Sequence, residues 1–383
     1  MRNAGRAVVR GVSGWIVAAV LLAASADVRC GDPEAPKPKL LYEVVDDAVF
    51  SLTVTADGKH VAARIGDGVL RLVDATTGKK VRDIRFGGVR GAPRTALSAG
   101  PPPSIVRWVA MEAPAIWDAV SGAKRAAIDD PLAAKSSPAS SSHVRLYGLA
   151  VPSAGSLVFV LWSSADETCI ASHDTRTGRV VGRLDLKRDT SGKLVGFSSA
   201  TTSLAASFDG RTLVALGGGP LGERMMRVFQ VSADGKQIDE RKTFDGKAMS
   251  WSAGDIDDPA VTDDGSALVG TLRPESLGRT EARDDTVACW STETGERLWT
   301  RQATSRSLTP SVTSGRLVAL AQRDAVELVD VRSGTTVLRV PMPTPKPPDA
   351  FALAPAARRL FAATGDGKVF VWDTAAAADA APK

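Results

Sequence analysis

The sequence predicts an all-β fold, a β-propeller of seven four-stranded blades, and three observations predict it. One turn phrase recurs along the chain about every 40 to 60 residues, near the blade period. A second phrase, ending in an apolar strand, precedes most copies of the first. The last repeat lacks one strand, and a short β-like run at 40–45 near the N-terminus has no partner of its own.

The first phrase is a β-rich run, then Asp or Ser, two or three residues, and Gly. It reads Val73-Asp74-Ala75-Thr76-Thr77-Gly78 and returns as Trp117-Asp118-Ala119-Val120-Ser121-Gly122 and His173-Asp174-Thr175-Arg176-Thr177-Gly178. Further copies are Val231-Ser232-Ala233-Asp234-Gly235, Trp290-Ser291-Thr292-Glu293-Thr294-Gly295 and Val329-Asp330-Val331-Arg332-Ser333-Gly334, with a truncated one at Trp372-Asp373-Thr374. The second phrase is an apolar run, a turn ending in Gly and another apolar run, as at Ala56-Asp57-Gly58, Phe208-Asp209-Gly210 and Asp263-Asp264-Gly265. Asp-Gly between β-rich runs signals a hairpin, because Gly supplies positive φ without a steric cost.

Each unit therefore reads strand a, Asp-Gly turn, strand b, loop, strand c, Thr-Gly turn, strand d. Blade one places these at 50–55, 60–65, 70–74 and 80–84. Blade two is less regular: its strand a is expected near Pro101–Pro103, where proline cannot serve a central ladder. Such a unit has two apolar faces and cannot bury both alone, whereas a ring of units can. Residues 351–373 supply strands a, b and c of the last blade. The run at 40–45 is expected to complete it and so remove an exposed edge. The expected organisation is a secretory leader over 1–26, a linker over 27–39, the propeller over 40–374 and an Ala-rich tail over 375–383.

These residues carry a family resemblance. Trp117-Asp118 and Trp372-Asp373 resemble the dipeptide of WD-repeat propellers, and Thr294-Gly295-Glu296-Arg297-Leu298-Trp299 resembles the quinoprotein-type repeat. The resemblance covers about residues 40–374 and implies the propeller architecture. No Gly-His dipeptide opens the repeats, so the resemblance does not extend to the buried His–Asp–Ser/Thr–Trp network of WD proteins. A quinoprotein would imply a quinone cofactor, vicinal cysteines and a calcium-binding carboxylate. The three cysteines, Cys30, Cys169 and Cys289, are far apart, and only one quinoprotein-type repeat is well formed.

Composition narrows the function. The formal net charge is +5, and the leader arginines Arg2, Arg6 and Arg10 account for more than half of it, leaving no case for nucleic acid. An apolar run from Trp15 to Ala24, followed by Ala24-Ser25-Ala26, fits a cleaved secretory signal and is short for a spanning helix. This places the protein in the periplasm or outside the cell, with an N-terminal membrane anchor as the alternative. Cys169 and Cys289 read as half-buried strand residues in separate blades. There is no H-E-x-x-H, no G-x-S-x-G and no P-loop. His60, His143 and His173 are scattered. The acids Asp255, Asp257, Asp258, Asp263 and Asp264 lack the spacing of a calcium loop.

The sequence thus points to a non-catalytic interaction module or assembly scaffold, monomeric, with no cofactor and a protein partner. The alternative is a quinoprotein-like oxidoreductase or small-ligand binder. The a–b and c–d turns share one face, and the b–c and d–a loops share the other. The second set includes the longer segments 87–103, 129–143, 217–226, 242–257, 273–285 and 341–349, so the partner is expected there. Candidate contact residues are Trp251, an aromatic in a polar loop, and Arg273, Arg279 and Arg283, which offer an anion-reading cluster.

Overall fold

A computed structural model describes residues 36–375, apart from positions 56, 67 and 153 and the segments 44–47, 87–93, 99–102, 109–113, 134–144, 165–166, 187–202, 219–223, 247–248, 250–253, 275–284, 304–316 and 355–357. Among the described residues the first strand is β1 (Lys39–Glu43), and one antiparallel sheet follows another after it. Blade one holds β2 (Val49–Val54), β3 (His60–Ile65), β4 (Val69–Asp74) and β5 (Lys80–Arg85). Blade two holds β6 (Arg94–Ser98), β7 (Ser104–Trp108), β8 (Ala115–Asp118) and β9 (Lys124–Ala127). Blade three follows with β10 (Arg145–Ala150), β11 (Leu157–Ser163), β12 (Thr168–Asp174) and β13 (Val180–Asp185). Blade four is β14 (Ser203–Ala206), β15 (Thr212–Gly218), β16 (Arg224–Val231) and β17 (Ile238–Asp245). Blade five is β18 (Gly254–Val261), β19 (Ala267–Pro274), β20 (Asp285–Ser291) and β21 (Arg297–Ala303). Blade six shows β22 (Leu317–Ala321), β23 (Ala325–Asp330) and β24 (Thr336–Pro341). Blade seven is β25 (Ala350–Ala354), β26 (Arg359–Ala363), β27 (Lys368–Asp373) and, as its fourth strand, β1.

The fold is therefore the seven-bladed propeller that the repeat predicts, closed by the N-terminal strand. β1 pairs antiparallel with β27, setting Lys39 against Val371 and Glu43 against Lys368. Among the described residues, six blades have four strands and blade six has three. The first strands of neighbouring blades approach one another, β25 with β2, β2 with β6, β10 with β14 and β14 with β18. First strands thus face the axis, and fourth strands lie outermost.

One expected element moves. Strand a of blade two is β6, upstream of the prolines, with Leu97 opposite Ile105 and Ser98 opposite Ser104. The prolines fall in the a–b connection because they have no N–H to give a ladder. Pro103 still contributes its carbonyl, which accepts from the Ala119 amide at 3.0 Å.

The core lies between the blades. Ile84, Phe86 and Leu72 of blade one meet Ile105 of blade two. Phe159 and Ile170 of blade three meet Phe229 and Leu213 of blade four. Trp290 of blade five packs on Met226 and Val228 of blade four. At the closure, Leu41, Phe361 and Val369 of blade seven pack with Val49 and Val61 of blade one. Each fully buried side chain of this size contributes about 1.5–3 kcal/mol. Cys169 and Cys289 sit fully buried in these seams as free thiols, deeper than the sequence suggests, and burial pushes both up to about 12.

The c–d turns lock the seams. In blade one the Asp74 Oδ1 accepts from the amides of Thr76 (3.0 Å) and Thr77 (2.7 Å). The same cap recurs on Asp118, Asp174 and Asp330, and in blade five on the Ser291 hydroxyl. This cap turns the chain onto a glycine, Gly78, at φ +71°. A Cβ there would lie 1.8 Å from the Leu41 carbonyl oxygen of β1. The turn of each blade rests in this way on the outer strand of the blade before it: Gly122 on Arg82, Gly178 on Ala127, Gly295 on Phe244 and Gly334 on Trp299, while Gly182 lies under the Gly235 carbonyl.

Two substitutions separate the conformational requirement from the close approach. Both Gly78→Ala and Gly122→Ala put a side chain at positive φ, at about 1 kcal/mol each. Only at Gly78 does the new methyl also meet a backbone carbonyl; at Gly122 it meets the flexible Arg82 side chain. Urea denaturation should therefore show Gly122→Ala losing about 1–2 kcal/mol and Gly78→Ala at least about 3 kcal/mol.

Candidate interaction face

Several of the side chains that join neighbouring blades come from the outermost strands. The Arg82 guanidinium donates to the Ser121 carbonyl, and Arg301 donates to the Gly334 carbonyl at 2.8 Å. The Lys242 ammonium donates to the Glu293 carbonyl at 2.6 Å, and the Trp299 indole N–H to the Val331 carbonyl at 2.6 Å. At the closure Arg359 reaches the Ala75 carbonyl at 3.3 Å. Turn carbonyls that would otherwise be orphaned at a seam thus receive donors from the preceding blade. The acids of this face are similarly committed. The Thr77 and Thr76 amides hold Asp74 below the usual carboxylate range. The Ser232 hydroxyl and the Lys236 amide hold Asp234 down at about 2.

His173 belongs to the same system. It is fully buried on β12, and its Nε2 accepts from the Trp162 indole N–H at 3.3 Å. That leaves Nδ1 to carry the proton toward the carbonyl of Gly178, the turn glycine, at 3.3 Å. The Gly178 carbonyl also accepts from the Asp129 amide of blade two at 3.0 Å. The histidine is a structural member of the seam between blades two and three.

The b–c and d–a connections, where binding is expected, leave the sheets on the opposite face. Trp251, Arg279 and Arg283 lie outside the described residues. Arg273 is in β19, where its backbone stands opposite Asp255 of β18. Not every b–c connection is long. Blades one, three, six and seven join their middle strands through three or four residues, such as 66–68 and 322–324. The segment 87–103 contains β6, and 242–257 contains the ends of β17 and β18, so both loops are shorter than the spacing implies. Asp264 of the acidic run hydrogen-bonds the Thr262 hydroxyl and the Ser266 amide in its own turn. No group of three or more His, Cys, Asp or Glu side chains placed to hold a metal occurs among the described residues.

One residue of this face escapes sequence reading. Phe50 is 50% exposed, although it lies on the innermost strand of blade one. The ladder pairs Val49 with Ile65 and Ser51 with Arg64, so Phe50 is the extra residue of a β-bulge. A bulge re-aims a side chain away from the alternation of the strand. The Arg64 guanidinium carbon lies 5.4 Å from the centre of the Phe50 ring, within cation–π range. Alternation through Leu52 and Val54 would turn Phe50 inward, so the sequence alone does not place its ring in solvent.

The comparisons fit this architecture. The family model described as outer membrane protein assembly factor BamB matches residues 166–379, more than half of the chain. The chain belongs to that family of quinoprotein-like propeller repeats. No curated protein matches the chain.

Burial pushes His173 from 6.5 down to about 4. Protonating Nε2 would also turn the Trp162 hydrogen bond into a clash of two donors. The unfolded chain therefore takes up a proton that the folded chain refuses. Stability from this group is complete above about pH 6.5 and is lost as the pH falls toward 4. Between those values the wild type should lose about 2–3 kcal/mol more than His173→Gln, as read from urea midpoints across the pH series.

Proposed function

We propose that this chain is a non-catalytic propeller that works outside the cytoplasm as an interaction module in protein assembly. The observation that carries the reading is Phe50: a half-exposed aromatic ring, turned out by a bulge on the innermost strand and covered on one side by Arg64. Aromatic and arginine side chains on a rigid frame are the usual anchors of protein interfaces. The family is described as an assembly factor, which favours a binding role over the quinoprotein-like oxidoreductase. No helix among the described residues is long and apolar enough to cross a membrane.

In this reading residues 1–26 are a secretory leader, 27–39 a linker and 375–383 a tail, and the protein is a monomer. The partner is a protein, and it docks on the face of the b–c and d–a connections. Trp251, Arg273, Arg279 and Arg283 extend the contact begun by Phe50.

The test is quantitative capture from envelope extract by the chain starting at Asp27. Wild type should retain a partner that Phe50→Ala and the double variant Trp251→Ala, Arg279→Glu each lose at least about tenfold, equivalent to about 1.4 kcal/mol. Equal capture by all three folded proteins would remove the binding site from this face. Dye reduction on reconstitution with quinone and calcium would replace the reading with an oxidoreductase.

A further inference from the structure

The turn face is not evenly charged. Three largely exposed stretches of blades seven, one and two meet on it: 37–40 at the start of β1, 76–82 across the c–d turn of blade one, and 120–124 across that of blade two. They adjoin in space. The Gly78 turn rests on Leu41 of β1, and the Gly122 turn rests on Arg82 of β5, whose guanidinium donates to the Ser121 carbonyl. Together the stretches carry Lys37, Lys39, Lys79, Lys80, Arg82 and Lys124 and no acid. The matching stretch of blade five, 293–299, sets Glu293 and Glu296 against the one cation Arg297.

The same stretches set apolar side chains in solvent. Six large apolar residues are exposed among the described residues, and three of them are Leu40 (47%), Val81 (42%) and Val120 (50%). Val81 is the extra residue of a β-bulge, since Lys80 stands opposite Val73 and Arg82 opposite Leu72. Such a bulge turns a side chain out of the alternation of its strand. Val120 sits in the capped turn itself, where its amide donates to the Asp118 Oδ1 at 3.0 Å. The carboxylates around the patch are already engaged. Arg71 holds Asp83 at 2.7 Å with Lys80 at 3.4 Å, and Arg125 holds Asp118. Lys59 lies 3.5 Å from Asp57, the turn amides occupy Asp74, and the Ala375 amide donates to Asp373 at 2.8 Å.

We infer that this patch seats the propeller on an anionic lipid surface, with its lysines at the headgroups and Leu40, Val81 and Val120 at the boundary of headgroups and acyl chains. Charge and apolar area combine in this way at membrane surfaces. A protein interface instead concentrates aromatic and arginine side chains and is poor in lysine. The three stretches hold five lysines, one arginine and no aromatic residue. Phe50 lies on the opposite face, so a propeller seated by its turns keeps that face open to a protein partner. The inference adds to the proposed function and does not rest on it.

The test is cosedimentation of the chain starting at Asp27 with vesicles of phosphatidylcholine containing phosphatidylglycerol, and with vesicles of phosphatidylcholine alone. Wild type should bind the first and not the second, and added salt should weaken the binding. A cation near such a surface contributes about fivefold, so the double variant Lys79→Gln, Lys80→Gln should bind at least about tenfold more weakly. The double variant Val81→Asp, Val120→Asp should lose at least about tenfold as well. Leu298 is the bulge residue of blade five, opposite the gap between Cys289 and Trp290, and Leu298→Asp should leave binding unchanged. All these side chains are exposed, and each variant should keep the wild-type unfolding midpoint. Absence of wild-type binding to the anionic vesicles, as an acidic protein occupant would give, overturns the inference. So do equal binding to both kinds of vesicle, wild-type binding by either double variant, and a loss with Leu298→Asp as large as that with the valine pair. Phe50→Ala should bind the vesicles as wild type does, and partner capture that depends on Phe50 leaves the proposed function standing in any of these cases.

Discussion

The structure depends on the close approach of each c–d turn to the outer strand of the blade before it. A four-stranded sheet buries neither of its faces alone, and hydrophobic contact between sheets has no direction of its own. The turn gives the seam a register. It needs a side-chain acceptor to cap the amides, as Asp74 does, and a residue without a Cβ where the backbone of the neighbour comes within van der Waals contact, as Gly78 is. Donors on the preceding strand then satisfy the carbonyls that the turn exposes. Seams built in this way make each blade a neighbour-dependent unit, and the stability of the ring is shared among its junctions.

The closure applies the same rule between the last blade and the first. β1 gives blade seven its outer strand and receives the turn of blade one through the Leu41 carbonyl, so this seam is locked in the same way as the others.

The two faces divide the work. On the turn face the carboxylates of Asp74, Asp118, Asp174 and Asp330 are spent on backbone amides. His173 is spent on a turn carbonyl and an indole. Titratable groups used in this way hold the frame rigid and have little chemistry left to offer. On the other face the bulge at Phe50 breaks the local alternation and sets an aromatic ring in solvent, at a cost in ladder hydrogen bonding.

By itself the sequence determined the all-β class, the turn chemistry, the propeller repeat and the closing strand, because each rests on a short-range rule. Asp and Gly at fixed offsets force turns, and alternating apolar runs between turns force strands. A last repeat short of one strand must find it elsewhere. It misplaced strand a of blade two, since the prolines at 101–103 signal a break without saying on which side the strand lies. Tertiary structure alone decided what depends on neighbours far along the chain: which face of each strand is buried, that Cys169 and Cys289 are wholly enclosed, and that Phe50 is extruded by a bulge. Local spacing carries no record of these, because they arise when a residue such as Gly334 meets Trp299 across a seam that only ring closure creates.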